Sequence, residues 1–257
     1  MGINNRNYNT SNPSIEEPVK NNDTVAKAGS RALNMAKVYG YLFLALLFTG
    51  GFAFGFGYLF SVWMVNNPEQ AKAGLLGILI GCGVGLLILT FVVNGVAFKN
   101  KHSVLPYYIA YVVLMGVLLS TFTMFIDWRL LGIAFGITSL IIGIDAIIAL
   151  FAKGNFNWVA MMAMTLLLGS GIVFLFSWML IFFNPGLFTS FLYVINFVVF
   201  IAVVLFTLVD IVRINKIAEQ GEMSNNLSLY CSFIIYVDFI YIFIRIVYFL
   251  AIATSKR

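Results

Sequence analysis

Charge is scarce in this chain. Asp, Glu, Lys and Arg together make up 10% of the 257 residues, and 61% of the residues are hydrophobic. Soluble domains carry about 25% charged residues, so this composition excludes an ordinary soluble domain and predicts a membrane protein. The formal net charge of +5 does not indicate nucleic-acid binding, because the basic residues are spread over the loops between apolar stretches.

Cysteine and histidine are also rare. Cys82 and Cys231 both lie inside apolar stretches, so they provide neither a disulfide framework nor a metal-ligand spacing. The single histidine, His102, follows Lys99 and Lys101 in a polar loop, which favours a solvated position. The sequence has no glycine-rich phosphate loop ahead of a polar helix. We therefore expect no bound cofactor.

Seven apolar stretches account for most of the chain, and each is close to or above the roughly 20 residues that cross the hydrocarbon core. Short polar connections separate them. The predicted fold class is an all-α membrane protein, a seven-transmembrane helix bundle. The predicted spans are 38–63, 74–98, 104–126, 130–152, 158–182, 187–212 and 229–253.

The polar ends of the chain predict its domain organisation and orientation. Residues 1–34 are Asn-rich and aperiodic, which predicts a disordered cytoplasmic tail ahead of a transmembrane domain of residues 35–257. Ten Lys and Arg residues lie on the amino-terminal side of the membrane against four on the other. This bias predicts a cytoplasmic amino terminus and an outer carboxyl terminus. We expect membrane lipids as partners and a bacterial plasma membrane, with an internal eukaryotic membrane as the alternative; the oligomeric state is not predicted.

Four ionisable residues fall inside the spans, where charge is costly. Asp210 lies near the cytoplasmic end of the sixth span, and Asp238 lies further along the seventh. Because these spans are consecutive and antiparallel, both carboxylates are expected in the cytoplasmic half of the membrane, within reach of each other. Asp145 and Arg245 are interpreted as supporting charges, an ion pair that braces the fourth and seventh spans.

Two neighbouring carboxylates in a partly dry site cannot both ionise cheaply, so we expect Asp210 and Asp238 to share one proton. That proton would hold the sixth and seventh spans together, and its loss would push them apart. The same oxygens, once charged, suit a hard cation such as Ca²⁺, although two carboxylates fall short of the roughly 6–8 ligands of a tight site. The pair thus predicts a gate with weak, transient Ca²⁺ binding. The alternatives are a solvated helix-end role for Asp210 and a purely structural role for Asp238.

Two motifs resemble the transmembrane Bax inhibitor motif (TMBIM) family. The sixth span contains Thr207-Leu208-Val209-Asp210, and the seventh contains Ile235-Tyr236-Val237-Asp238-Phe239-Ile240-Tyr241-Ile242-Phe243, which is similar to the family's (L/I)Y-x-DFI-x-(L/I)F. Val38-Tyr39-Gly40, Gly116 to Ser120 and Ala134 to Ser139 are family-like as well, and the resemblance extends over residues 35–253. It implies a bundle in which the other six helices surround the last one. It also implies a pH-sensitive Ca²⁺ leak, with Asp210 and Asp238 as the gating pair and Ca²⁺ as the transported ion.

The chain departs from the family pattern in its basic residues. The family's second helix commonly supplies an arginine that pairs with the two aspartates, but this sequence has no arginine between Arg31 and Arg129. Lys99 or Lys101 is the expected substitute, as a point charge without the fork geometry of arginine. Arg245 also lies closer to its aspartate than the family's last-helix arginine does.

Two other functions compete with that of a leak channel. One is a non-conducting regulatory or interaction protein, in which the buried charges only stabilise the bundle. The other is an intramembrane aspartyl protease, which also places two aspartates on neighbouring helices. Its Tyr-Asp and Gly-x-Gly-Asp motifs are absent, since Val237 precedes Asp238 and Val209 precedes Asp210. We therefore expect that the protein is not an enzyme.

Overall fold

Helices form all the regular secondary structure in the part of the chain that the computed structural model describes, residues 16–99, 103–152, 156–183 and 185–255. Each helix contains a stretch long and apolar enough to cross a membrane. The predicted all-α, seven-helix fold class is confirmed. The helices are α1 (Glu16–Asn66), α2 (Pro68–Lys99), α3 (Leu105–Phe125), α4 (Trp128–Phe151), α5 (Asn157–Phe183), α6 (Pro185–Ala218) and α7 (Asn225–Ser255).

The first helix begins earlier than the sequence predicted. α1 starts at Glu16, so residues 16–34, predicted to be part of a disordered tail, are helical; residues 1–15 lie outside the described residues. Tertiary contacts hold the last residues of this segment. The Arg31 guanidinium, for example, lies 2.6 Å from the Glu219 carboxylate beyond the end of α6.

Asn34 fixes α1 to the connection between α6 and α7. Its Nδ2 donates to the carbonyl oxygens of Ala218 at 3.1 Å and Gly221 at 2.7 Å. Its Oδ1 accepts from the Met223 amide at 3.3 Å. Gly221 has φ 139°, a conformation that favours glycine over any residue with a Cβ. Asn34 is buried, so its three hydrogen bonds set where α7 begins relative to the end of α6. We call this end of the bundle the α6–α7 end.

α7 lies at the centre of the bundle. It packs against α1, α2, α3, α4 and α6, while α5 packs chiefly against α6. The buried share of its membrane-spanning window is the largest among the seven helices. The prediction of a central last helix is confirmed, but five of the other six helices, not all six, make its main contacts.

Polar contacts and aromatic packing attach one face of α7 to α1 and α3. The Thr49 hydroxyl donates to the Ala45 carbonyl at 2.8 Å and lies 2.6 Å from the Tyr236 hydroxyl. Because Thr49 has no second hydrogen to donate, Tyr236 is the donor in the latter bond. Both hydroxyl groups on this side of α7 are therefore hydrogen-bonded within the protein. Four rings meet in edge-to-face pairs there, with centroids 5.0 Å to 6.1 Å apart, those of Tyr108, Tyr111, Phe233 and Tyr236.

The contact between α1 and α3 depends on the absence of a side chain at Gly116. A Cβ added there would lie 2.5 Å from the Phe52 Cβ and 3.2 Å from the Thr49 carbonyl oxygen. We expect Gly116→Ala to destabilise the protein by about 1–3 kcal/mol, the usual cost of overpacking. Gly136→Ala is the matched control, because its added Cβ would meet nothing within 4 Å. Thermal unfolding in detergent checks this, and equal melting temperatures for the two variants would contradict it.

Candidate gate between helices α4, α6 and α7

Three acids lie in the half of the bundle nearer the α6–α7 end. Asp210 is eight residues before the end of α6, and Asp145 is six residues before the end of α4. At about 1.5 Å per residue these are distances of about 12 Å and about 9 Å along the helix axes. Asp238, on α7, is 13 residues after Asn225, about 20 Å along the axis. The antiparallel helices therefore place all three carboxyl groups in this half of the bundle, with Asp238 about 8–11 Å deeper than the other two.

The charged neighbours of Asp238 do not compensate a negative charge on its carboxyl. Its Oδ2 is buried and has no hydrogen-bond partner. The charged groups that act on its carboxyl are those of Asp210 and Asp145, both acids. No ion pair involves Asp238 in the described part of the chain. The Asp238 carboxyl thus lies within electrostatic range of the carboxyls of Asp210 and Asp145.

Thr207 supplies the polar side chain beside Asp238. Its hydroxyl donates to the Val203 carbonyl at 3.0 Å and lies next to the Asp238 carboxyl. A hydroxyl has a single hydrogen to donate, so the Val203 carbonyl and the Asp238 carboxyl compete for it. Thr207 therefore stabilises an ionised Asp238 only when its hydroxyl turns from Val203 to the carboxyl, which leaves the Val203 carbonyl without this bond.

Asp210 has the more open position of the two. Its side chain is 26% exposed, and the Arg213 guanidinium lies 3.5 Å away on the same face of α6. The Arg213 side chain is itself 60% exposed, and ion pairs of this kind contribute only about 0–1 kcal/mol. Arg213 therefore tethers Asp210 weakly and leaves it accessible from the α6–α7 end.

Two uncharged side chains, those of Tyr230 on α7 and Asn94 on α2, are hydrogen-bonded to each other near Asp210. The Tyr230 hydroxyl donates to Asn94 Oδ1 at 2.9 Å, and Tyr230 is within electrostatic range of Asp210. The expected substitutes for the family's arginine, Lys99 and Lys101, are not tested by this geometry. α2 ends at Lys99, but the Lys99 side chain and the whole of Lys101 lie outside the described residues.

The predicted ion pair between Asp145 and Arg245 is not formed. Arg245 Nη1 donates instead to Asn196 Oδ1 of α6. Asp145 is buried, 5% exposed, and its neighbours are Asp238 and the buried hydroxyl of Tyr39. The physical reason is axial position. Arg245 is seven residues beyond Asp238, about 10 Å further from the α6–α7 end, whereas Asp145 lies close to that end.

Sequence reasoning therefore missed the neutral members of the site, Tyr39, Asn94, Thr207 and Tyr230. Thr207 could have been found, because it precedes Asp210 by three residues and so shares a helix face with it. Asn94 and Tyr230 gave no such signal, because their pairing depends on how α2 packs against α7. Among the described residues, no three His, Cys, Asp or Glu side chains are close enough to hold a metal ion together. The weak Ca²⁺ site at Asp210 and Asp238 stays a prediction.

Seven apolar helices, with the last one at the centre, define a multi-pass integral membrane protein. The family model described as inhibitor of apoptosis-promoting Bax1 matches residues 31–255. The chain therefore belongs to the Bax inhibitor family, the TMBIM proteins, as the motifs in α6 and α7 indicated. Searches of the curated proteins and of the solved structures gave no match.

Proposed function

We propose that this protein is a proton-gated cation leak, with Ca²⁺ as the transported ion, in which Asp210 and Asp238 share the controlling proton. The observation that carries the proposal is the environment of Asp238. Its Oδ2 is buried without a partner, both neighbouring charged groups are acids, and the single hydrogen of the adjacent Thr207 hydroxyl is also in reach of the Val203 carbonyl. A lone charge in such a place is costly, while a proton shared with Asp210 relieves both the repulsion and the lack of hydrogen bonds.

In this proposal the closed state contains one proton in the pair. Protonated Asp238 donates to ionised Asp210, and this charge-assisted hydrogen bond holds α6 against α7. Losing the proton leaves two carboxylates that repel each other. Adding a second proton removes the charge that strengthens the bond. Flux is therefore lowest where the pair holds one proton and rises on either side of that pH.

Asp210 is proposed as the point where protons and cations enter. Its side chain is partly exposed at the α6–α7 end, which the Lys and Arg distribution predicts to be cytoplasmic. An ionised pair attracts a hard cation, and a site of few ligands releases it again, which conduction requires. The other face of α7 remains attached to α1 through Tyr236 and Thr49, so the movement is proposed on the α6 side.

Ca²⁺ flux into proteoliposomes, followed across a pH series with an indicator inside the vesicles, tests this function. We expect flux with a minimum at an intermediate pH. A folded preparation that is silent at every pH would contradict the proposal and favour the non-conducting regulatory role.

A further inference from the structure

A lateral crevice lies in the other half of the bundle, away from the α6–α7 end. Its volume is about 510 Å³, within the range of about 300–1,000 Å³ that is typical of small-ligand sites. α1, α3, α4 and α7 all contribute to its walls. α1 and α4 both pack on α7, and the crevice lies between them, with Phe239 and Ile240 of α7 at its back.

The chemistry of the walls suits an apolar ligand. Apart from the Trp128 indole, the lining side chains with polar atoms are Thr49 and Thr123. Thr49 donates to Ala45 and accepts from Tyr236. The Thr123 hydroxyl lies 2.7 Å from the Ser120 carbonyl oxygen. Both hydroxyls are therefore already hydrogen-bonded within the protein, and the crevice offers a polar ligand little to bind.

The crevice opens toward the membrane. Its rim includes Leu47, Phe54 and Phe135, all of which are exposed on the surface of the bundle. The wall is thin at Gly51 and Gly132, where an added Cβ would meet no atom within 4 Å. An apolar crevice that opens sideways at membrane depth faces acyl chains, not water.

A guanidinium group lies beside the mouth of the crevice. Trp128, at the start of α4, is exposed, and the Arg129 guanidinium lies 5.7 Å from the centroid of its ring. Tryptophan at a helix end is typical of the membrane–water boundary, and guanidinium groups bind phosphate with good geometry. The neighbouring Asp127 caps α4, since its carboxylate accepts the Arg129 amide at 2.9 Å.

We propose that this crevice binds one acyl chain of an anionic phospholipid, whose phosphate is held by Arg129. The acyl chain of the lipid enters between α1 and α4 and lies against Phe239 and Ile240, the two residues that follow Asp238. The site does not require ion conduction, so its test is independent of the leak function.

Native mass spectrometry tests the proposal. The protein is released from nanodiscs that contain phosphatidylglycerol and phosphatidylcholine in equal amounts, and the bound lipids are identified by mass. We expect the wild type to retain phosphatidylglycerol in preference, and Gly132→Leu to lose one bound phospholipid because the new side chain fills the crevice. Gly51→Leu fills it from α1 and provides a second variant. Gly136→Leu is the matched control, one turn along α4, with open space around it and outside the crevice. Arg129→Gln should keep a lipid but lose the headgroup preference.

Three results would overturn the proposal. One is equal phospholipid retention by both filling variants and the control. Another is retention of detergent in place of lipid by the wild type. The third is a wild type that retains both lipids equally. Melting temperatures of the filling variants, compared with that of Gly136→Leu, show whether a loss of lipid reflects the crevice or a failure to fold.

Discussion

Asp238→Asn is expected to abolish the pH dependence of Ca²⁺ flux. Asparagine keeps the shape of the side chain, and its amide can still donate to ionised Asp210, but it has no proton to lose, so the repelling pair cannot form at any pH. In the wild type, loss of a charge-assisted hydrogen bond worth about 1.5–3 kcal/mol shifts the equilibrium between closed and open states roughly 10- to 150-fold, and the variant lacks this shift. Flux of the variant in proteoliposomes should therefore vary little with pH, and Asp210→Asn should behave in the same way.

Asp127→Asn is the matched control for this experiment. Asp127 caps α4 at the opposite end of the bundle from the site, and asparagine is as good an N-cap as aspartate. This variant should fold and keep the full pH response. A pH response that survives in both Asp238→Asn and Asp210→Asn would remove the pair from the mechanism.

Asn34→Ala is expected to have the largest effect on stability. It removes the side chain that binds the Ala218 and Gly221 carbonyls and the Met223 amide. Each buried group left without a partner costs about 1–3 kcal/mol. The connection between α6 and α7 should then open more often, which hydrogen exchange at the amides of residues 218–223 would report as faster exchange, together with a lower melting temperature.

Arg31→Gln is the control for the Asn34 variant, because it breaks another contact between α1 and the same connection. The Glu219 side chain is 47% exposed, so this ion pair is worth only about 0–1 kcal/mol. Exchange and melting temperature should change little. If Asn34→Ala leaves both quantities as they are in the wild type, the α1 contact does not set the position of α7.

Composition and hydrophobic pattern were enough to predict the helices, because a bilayer requires each span to be long, apolar and helical. This pattern does not predict the first part of α1, because that part is not a membrane span. Residues 16–34 are polar, and what orders the end of this segment is a set of contacts from Arg31 and Asn34 to a connection almost two hundred positions away. Local sequence carries no trace of such contacts.

In the candidate site, too, some features could be predicted from the sequence and others depend on how the helices pack. Asp210 and Asp238 could be selected from the cost of charge in the membrane and from the order of the helices. The predicted pairing of Asp145 with Arg245 was wrong because it considered only their opposite charges and not their positions along the helix axes. The alternating direction of the spans already predicts that the two residues lie in different halves of the membrane. The pairing of Asn94 with Tyr230 required the packing of α2 against α7, which no spacing within either helix expresses.

The separation of the Asp210 and Asp238 carboxylates at two pH values tests the shared proton most directly. Structures in lipid would be determined at the pH of lowest flux and at a higher pH. A shared proton predicts that the nearest carboxylate oxygens are about 2.5–2.7 Å apart at the first pH, as in other O–H···O⁻ bonds, and beyond hydrogen-bond distance at the second. A separation that is the same at both pH values would contradict a gate controlled by this proton.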